Sequence, residues 1–376
     1  MKIYGSTSLH EILGDMIVYR NLDPVDARLP RFEKIRNSVN IPTGKFPRKG
    51  KPAYAEVVVQ LLRAAANLVN PNFSIQQLVY LGDTQLNDGN AFLTICDAGN
   101  WPGLAFIAAE NQLPPSVDLI GHSNKTLYLA NRWSALKDFE VYCRNQGFLM
   151  GEGTAVIVDL DKTALGARGR NDQVINQARV NAVKQTVGNL LGQAFDLEGF
   201  QRAYELLNQE AYHPFTTDNQ DYLAYTCLIL GSDLFTLDSL LDLLARKEII
   251  TFNQFLARVN DQLEGLSQPL REVHDSFNAL VQSGDPTPFK TFRYQEYLTT
   301  TARMGTTANQ ENVTELLDNE LVITHEVCEM ALRWKNNGAL LFGLSDKPDE
   351  ACFPGKDLAD QDHLPLHKTI TYVVGE

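Results

Sequence analysis

The sequence has no paired cysteines, no long apolar run and no basic excess, and each absence removes a class of protein. Its five cysteines (Cys96, Cys143, Cys227, Cys328 and Cys352) are odd in number, dispersed, and nowhere in C-x-x-C spacing. That excludes a disulfide framework or a cysteine-rich zinc site and predicts reduced thiols. The first residues reach Glu11 and Asp15 without an uninterrupted apolar h-region, so no signal peptide is read. Elsewhere no apolar run is long enough to span a bilayer. A soluble cytoplasmic protein with no membrane partner is expected. The formal charge of −13 argues against a nucleic-acid partner, which usually needs a basic face. A hydrophobic share of 44% and a charged share of 21% are ordinary for a globular chain. Its 376 residues suggest two domains.

What is present is a set of short apolar strands that end in chemistry. Val156 to Val158 read as a fully buried parallel strand, and Asp159-Leu-Asp161-Lys-Thr163 follows at once. Gln77–Gly82 is a second such strand, leading into Asp83 and, across an Asn-Asp-Gly turn, Asp88. A third, residues 339–342, leads to Ser345-Asp346-Lys347-Pro348. Strands at 102–109 and 125–130 and a helix at 133–145 complete a strand–helix alternation, which predicts a parallel sheet covered by helices. Open sheets of this kind bind ligands outside the carboxyl ends of their strands, where these polar residues fall.

A helix is expected from Pro52 to Val69, because Val57, Val58, Leu61, Leu62, Ala65, Leu68 and Val69 recur at helical spacing and Pro52 suits the first helical position. Lys51 then caps it, an electrostatically unfavourable place for a cation. The locally basic stretch 43–51, with Lys45, Arg48, Lys49 and Lys51, reads chiefly as a solvated loop. Residues 1–50, with prolines at 24, 30, 42 and 47, read as short elements and loops. Between about 171 and 334 amphipathic helices replace strands, with stripes such as Val180/Val183/Val187, Leu237/Leu240/Leu241/Leu244 and Phe252/Phe255/Leu256/Val259 read as core. Phe289 to Tyr294 reads as a solvated helix start after a Gly-Asp-Pro-Thr-Pro loop. A helix at 330–338 and a last strand at 368–374 close the chain.

Together these residues resemble the haloacid dehalogenase-like hydrolase superfamily. Asp159, Asp161 and Thr163 match its D-x-D-x-T motif, Ser345 its second motif, Gly50-Lys51-Pro52 its lysine motif, and Gly82, Asp83 and Asp88 its G-D-x-x-x-x-D motif. Two departures stand out. The third and fourth motifs precede the first and second, a circular permutation, and Lys162 stands where many relatives have glycine. Permutation further predicts that the C-terminal strand near Tyr372 and the N-terminal segment lie on the same side of the sheet. Residues 1–45 and 351–376 match nothing in the family.

The resemblance implies an α/β fold: a Rossmann-like parallel sheet with helices on both faces, in a discontinuous catalytic core of residues 1–165 and 335–376. A mostly helical cap domain, residues 166–334, would be inserted after the first motif strand. It would close over the site and select the substrate. The implied activity is a Mg²⁺-dependent phosphatase acting on a small phosphorylated metabolite. Asp159 would be the nucleophile that forms an aspartyl-phosphate, and Asp161 the general acid and base. Asp159, Asp161 (through its carbonyl), Asp83 and Asp88 would hold Mg²⁺, consistent with that ion's preference for oxygen. Lys51, Ser345 and Thr163 would bind the phosphoryl group. Arg168, Arg170 and Asn171 would contact substrate or form a polar hinge. The alternatives are a phosphomutase of the same superfamily, or a binding or scaffold protein that retains the fold.

Overall fold

A computed structural model describes residues 1–307 and 312–376. Its strands are β1 (Lys2–Thr7), β2 (Ile17–Val18), β3 (Gln77–Gly82), β4 (Gly103–Ala108), β5 (Val117–His122), β6 (Lys125–Ala130), β7 (Thr154–Asp159), β8 (Ile323–Thr324), β9 (Leu340–Leu344) and β10 (Thr371–Gly375). Seven form one sheet in the order β2-β9-β7-β3-β4-β6-β5, parallel throughout except for β5, which pairs antiparallel to β6. The fold is mixed α/β.

The central strands are buried along their whole length, apart from the partly buried Gln77 that opens β3, as unbroken Val/Ile/Leu runs require. Period-two alternation sends their side chains into two cores. Val79, Leu81, Phe106, Val156, Val158 and Leu341 enter one, with Trp133, Phe139, Met330 and Trp334 from the helices on that face. Leu78, Tyr80, Ala105, Ile157 and Phe342 enter the other, against Val58, Leu61, Leu62, Phe92 and Ile95. Helices therefore cover both faces.

The helix expected after Lys51 runs Pro52–Val69, with Lys51 as its N-cap and no side-chain capping bond. The N-terminal stretch holds more order than its prolines suggest. β1 pairs antiparallel with β10, Lys2 opposite Gly375, and β8 joins β10 in parallel. The strand at Tyr372 thus meets the N-terminal segment directly, in a three-stranded sheet separate from the main one. β5, an edge strand with an exposed face, carries too little apolar alternation to stand out in the sequence.

The chain divides into two compact units, Met1–Ala178 with Thr300–Glu376, and Arg179–Thr299. The expected helical segment of 166–334 is therefore trimmed at both ends. Residues 166–178 and 300–334 belong to the sheet-bearing unit, because β8 and the helix His325–Asn336 pack into its cores. The second unit is helical, with a core of Val183, Val187, Phe200, Leu228, Leu240, Phe252, Phe255, Val259 and Phe277. One expectation fails there: Phe289, Phe292 and Arg293 are buried, not a solvated helix start. The guanidinium of Arg293 is neutralised by Asp221 and Glu296, which is what permits its burial. No helix among the described residues is long and apolar enough to cross a membrane.

Candidate functional site

Parallel pairing sets three strand ends side by side. In β7, Asp159 lies opposite Leu344 of β9, so Ser345 is the next residue beyond that pair; on its other side Val158 lies opposite Leu81 of β3, and Asp83 follows β3 by one residue. Residues 159, 83 and 345, far apart in sequence, meet at one edge because the strand order is β9-β7-β3.

Asp83, Asp88 and Asp159 each place a carboxylate oxygen within 4.8 Å of the others, and all three are buried. The Asp88 carboxylate clamps its own loop. One oxygen accepts the backbone N–H of Asp83 (3.0 Å) and of Thr84 (2.9 Å) together with the Thr84 hydroxyl; the other accepts Tyr80 Oη–H at 3.2 Å. Between Asp83 and Asp88 the chain makes a single π-helical turn, Gln85–Gly89. Gly82 is needed for this fold-back: a Cβ there would lie 2.6 Å from Asp88 Cβ, inside any allowed contact.

The cation in the cluster is Lys49. Its ammonium donates to Asp88 Oδ1 at 2.5 Å and to Asp159 Oδ1 at 2.6 Å, its side chain only 8% exposed. Lys51, assigned the phosphoryl-binding role on sequence, is exposed at the helix start. The local reason is a turn over residues 48–51. Lys51 N–H donates to Arg48 C=O, and Gly50 adopts φ +78°, the left-handed third position of a type II turn. This turn sends Lys49 inward and leaves Lys51 to begin the helix. The signal was present in the sequence as the glycine between the two lysines.

Thr163 also departs from its expected role. The backbone after Asp159 coils back, Ala164 N–H donating to Asp159 C=O and Leu165 N–H to Leu160 C=O. This brings the Thr163 hydroxyl, fully buried, to donate to Asp159 Oδ2 at 3.0 Å. Thr163 orients Asp159 from below instead of facing a substrate. Lys162, inside the same coil, has φ +64°, the conformation that glycine adopts without penalty. Asp161 is half-buried and stands outside the trio of converging carboxylates.

Of the remaining candidates, Ser345 is buried and its Oγ accepts Lys347 N–H at 3.1 Å. Arg168 is one-third exposed, and its Nε donates to Asp83 Oδ2 at 2.5 Å. Its carbonyl is pinned by the Glu110 N–H and Trp133 Nε1–H. Arg170 is not available to a substrate: its guanidinium is 1% exposed and ion-paired to Glu110 and Glu326. Asn171 is also structural, donating to the Leu317 and Glu320 carbonyls and accepting Val322 N–H.

The cluster's electrostatics follow from burial and charge surplus. Burial raises Asp159 well above the usual carboxylate range, although Lys49 pulls the other way. Burial and the adjacent Asp88 push Asp83 up to about 7, against the opposing Arg168. Burial also works against Asp88, but Lys49 and the loop's hydrogen bonds outweigh it and hold this carboxylate far down. Desolvation likewise opposes the charge on Lys49; Asp159 and Asp88 reverse it and raise the ammonium. Three carboxylates thus face two cations, Lys49 and Arg168. Oxygen-only donors with a negative surplus fit a hard divalent cation such as Mg²⁺. Asp83 and Asp159 are the more available ligands, because Asp88 gives one oxygen to three donors of its loop and the other to Lys49 and Tyr80, whereas each Asp159 oxygen takes a single donor and Asp83 gives one oxygen to Arg168. Comparison with models of protein families, with curated proteins and with solved structures finds no match to this chain.

Proposed function

We propose that this chain is a Mg²⁺-dependent phosphohydrolase of the haloacid dehalogenase-like kind, with permuted motif order, acting on a small phosphorylated metabolite in the cytoplasm. The observation that carries the reading is the meeting of Asp159, Asp83 and Lys49 at adjacent strand ends, from three segments whose order in the chain gives no reason for it. A Rossmann-like description of the sheet, with the helical unit as a cap, belongs to the same reading.

In the proposed reaction a carboxylate oxygen of Asp159 attacks phosphorus, and the bond from phosphorus to the leaving oxygen breaks. Asp161 gives that oxygen its proton. Asp161 then takes a proton from water, which attacks the aspartyl-phosphate, breaks its P–O(Asp159) bond and releases inorganic phosphate. Thr163 and Lys49 each hold one Asp159 oxygen, which fixes the carboxylate's rotation before attack. Lys49 also offers positive charge where the transferring oxygens gather it. Ser345, at the end of β9, supplies a hydroxyl on the opposite flank, and Arg168 a partly exposed guanidinium. Mg²⁺ held by Asp83 and Asp159, with the Asp161 carbonyl, would neutralise the carboxylate surplus and the phosphoryl charge.

The test is Mg²⁺-dependent phosphate release from an aryl phosphate and from a panel of phosphorylated metabolites, for the native chain and Asp159→Asn. Activity in the native chain alone is expected. Equal release from both proteins sinks the aspartyl-phosphate, and silence across the panel turns the reading to a binding protein. Phosphate returned to another position of the substrate, with no net release, identifies a phosphomutase.

A further inference from the structure

A second set of metal-capable side chains lies outside the carboxylate cluster. His10, on the short helix Leu9–Leu13, Asp15 just beyond it, and His367, on the turn Leu366–Lys368, each bring one donor atom within 4.8 Å of the others. His10 Nδ1 is 3.0 Å from Asp15 Oδ1, and His367 Nε2 is 3.5 Å from the same oxygen. Two donors on one tetrahedral zinc, with bonds of about 2.05 Å, stand ~3.3 Å apart. The two spacings bracket that edge.

A hydrogen bond explains the His10 contact but not the His367 one. The His367 ring is 1% exposed, and its Nε2 is buried and makes no hydrogen bond, although it lies 3.5 Å from Asp15 Oδ1. Leaving a buried ring nitrogen unpaired is costly. Its other nitrogen, Nδ1, lies 3.5 Å from Tyr19 Oη, the place where a ligating histidine's outer partner belongs. His10 and Asp15 are each about one-third exposed, so the pocket opens to solvent on their side. The Lys368 ammonium lies 3.6 Å from Asp15 Oδ1 but is 39% exposed and free to swing into water.

We propose that His10, Asp15 and His367 form a binding site for a first-row divalent transition metal, Zn²⁺ being the simplest occupant, with a fourth position open to water. Two imidazoles and one carboxylate suit such an ion and are the wrong donors for Mg²⁺. The ion would clip the segment carrying His10 and Asp15 to the turn near the other end of the chain. That segment continues into β2, whose Val18 carbonyl accepts the backbone N–H of Ser345. The proposal does not depend on the phosphohydrolase reading.

The experiment strips the full chain with a chelator and titrates it with Zn²⁺ in excess Mg²⁺, in competition with a chromophoric chelator. Co²⁺ absorption serves as a second readout. One equivalent of Zn²⁺ is expected to bind, with the intense visible bands of low-coordinate Co²⁺. His10→Ala and Asp15→Asn, both at partly exposed positions, should weaken Zn²⁺ binding by at least about tenfold and remove the Co²⁺ bands. Asp159→Asn should change neither. Zn²⁺ should raise the melting temperature of the native chain and not that of His10→Ala. Failure of the native chain to bind Zn²⁺, or equal affinity in His10→Ala, overturns the proposal. So does binding that follows Asp159 and not His10, since the ion would then belong to the carboxylate cluster.

Discussion

Two buried ion clusters, one in each unit, are both built from acids and bases and end in opposite states. In the helical unit Asp221 and Glu296 face Arg293 and Arg179, two acids against two bases at hydrogen-bond distance. Asp221 also accepts the N–H of Phe289. In the sheet-bearing unit three carboxylates, two at strand ends and Asp88 in the turn after β3, share Lys49 and Arg168, and burial raises two of them. A balanced cluster is a finished structural device, because each charge removed from water has a partner. A cluster with surplus acid keeps its fold at a cost in free energy, and such groups gather where a ligand completes the balance. The difference sets a packing feature apart from a candidate site without reference to any relative.

The largest effect that would break this comparison is catalytic. Asp159→Asn should lower Mg²⁺-dependent phosphate release by at least about a thousandfold, about 4 kcal/mol of barrier. The same substitution should leave stability without Mg²⁺ unchanged or slightly higher, because burial and the neighbouring carboxylates already disfavour a charge at Asp159. Denaturant melting of the metal-free proteins checks the second half. A large loss of stability in Asp159→Asn would mean that its carboxylate serves structure, as Asp221 does.

Arg293→Met is the converse. It strands Asp221 as a buried acid, while Glu296 keeps Arg179, and breaking a buried pair from one side typically costs about 3–5 kcal/mol. A midpoint shift of that size in denaturant is expected. A shift below about 1 kcal/mol would show that the balanced cluster is no more than incidental.

Asp349 tests the cost of surplus acid away from the site. Burial pushes this carboxylate up to about 7, opposed by the Asn21 N–H at 3.0 Å. The folded chain therefore holds a proton there that the unfolded chain, with an aspartate near 3.9, gives up. More protons in the folded state mean that stability falls as pH rises from about 4 to about 7. The loss attributable to Asp349 is of order 2–4 kcal/mol across that window, since one extra bound proton changes stability by about 1.4 kcal/mol for each step of one in pH. In Asp349→Asn that contribution to the slope should vanish, as measured by urea midpoints at several pH values. An unchanged slope would show that Asp349 is ionised in the fold.

The parts of this arrangement that were legible in the sequence are those fixed by local pattern. Buried parallel strands announce themselves as Val/Ile/Leu runs, and the Pro52–Val69 helix by spacing and its first-turn proline. That Asp159, Asp83 and Ser345 end such strands was readable; that the strands are neighbours was not, because strand order is a tertiary property. The edge strands β1, β2, β5 and β8 are too short or too polar to carry a signal. The arginine pair after β7 shows the same limit. Arg168 and Arg170 are indistinguishable in sequence, yet one leans on Asp83 and the other is sealed between Glu110 and Glu326. The position of the partner carboxylates, 60 to 156 residues away, decides between them.

The smallest expected effect separates the two lysines on either side of Gly50. Both lie in one basic turn, and only a change of backbone direction makes Lys49 a partner of Asp159 and Lys51 a helix cap. Lys49→Met should lower Mg²⁺-dependent phosphate release, by less than Asp159→Asn does. Lys51→Ser should leave it within about twofold, because nothing at that exposed position meets the cluster. The serine should moreover stabilise the chain by about 0.5–1 kcal/mol, since its hydroxyl can take up an unpaired N–H of the first turn and the cation is removed from the helix's positive end. Phosphate release and thermal melting of the same two variants decide the matter. If Lys51→Ser loses activity while Lys49→Met keeps it, the turn is inverted in solution and the surplus acid is balanced by the other lysine. A charge at that position then lowers helix stability in the service of catalysis.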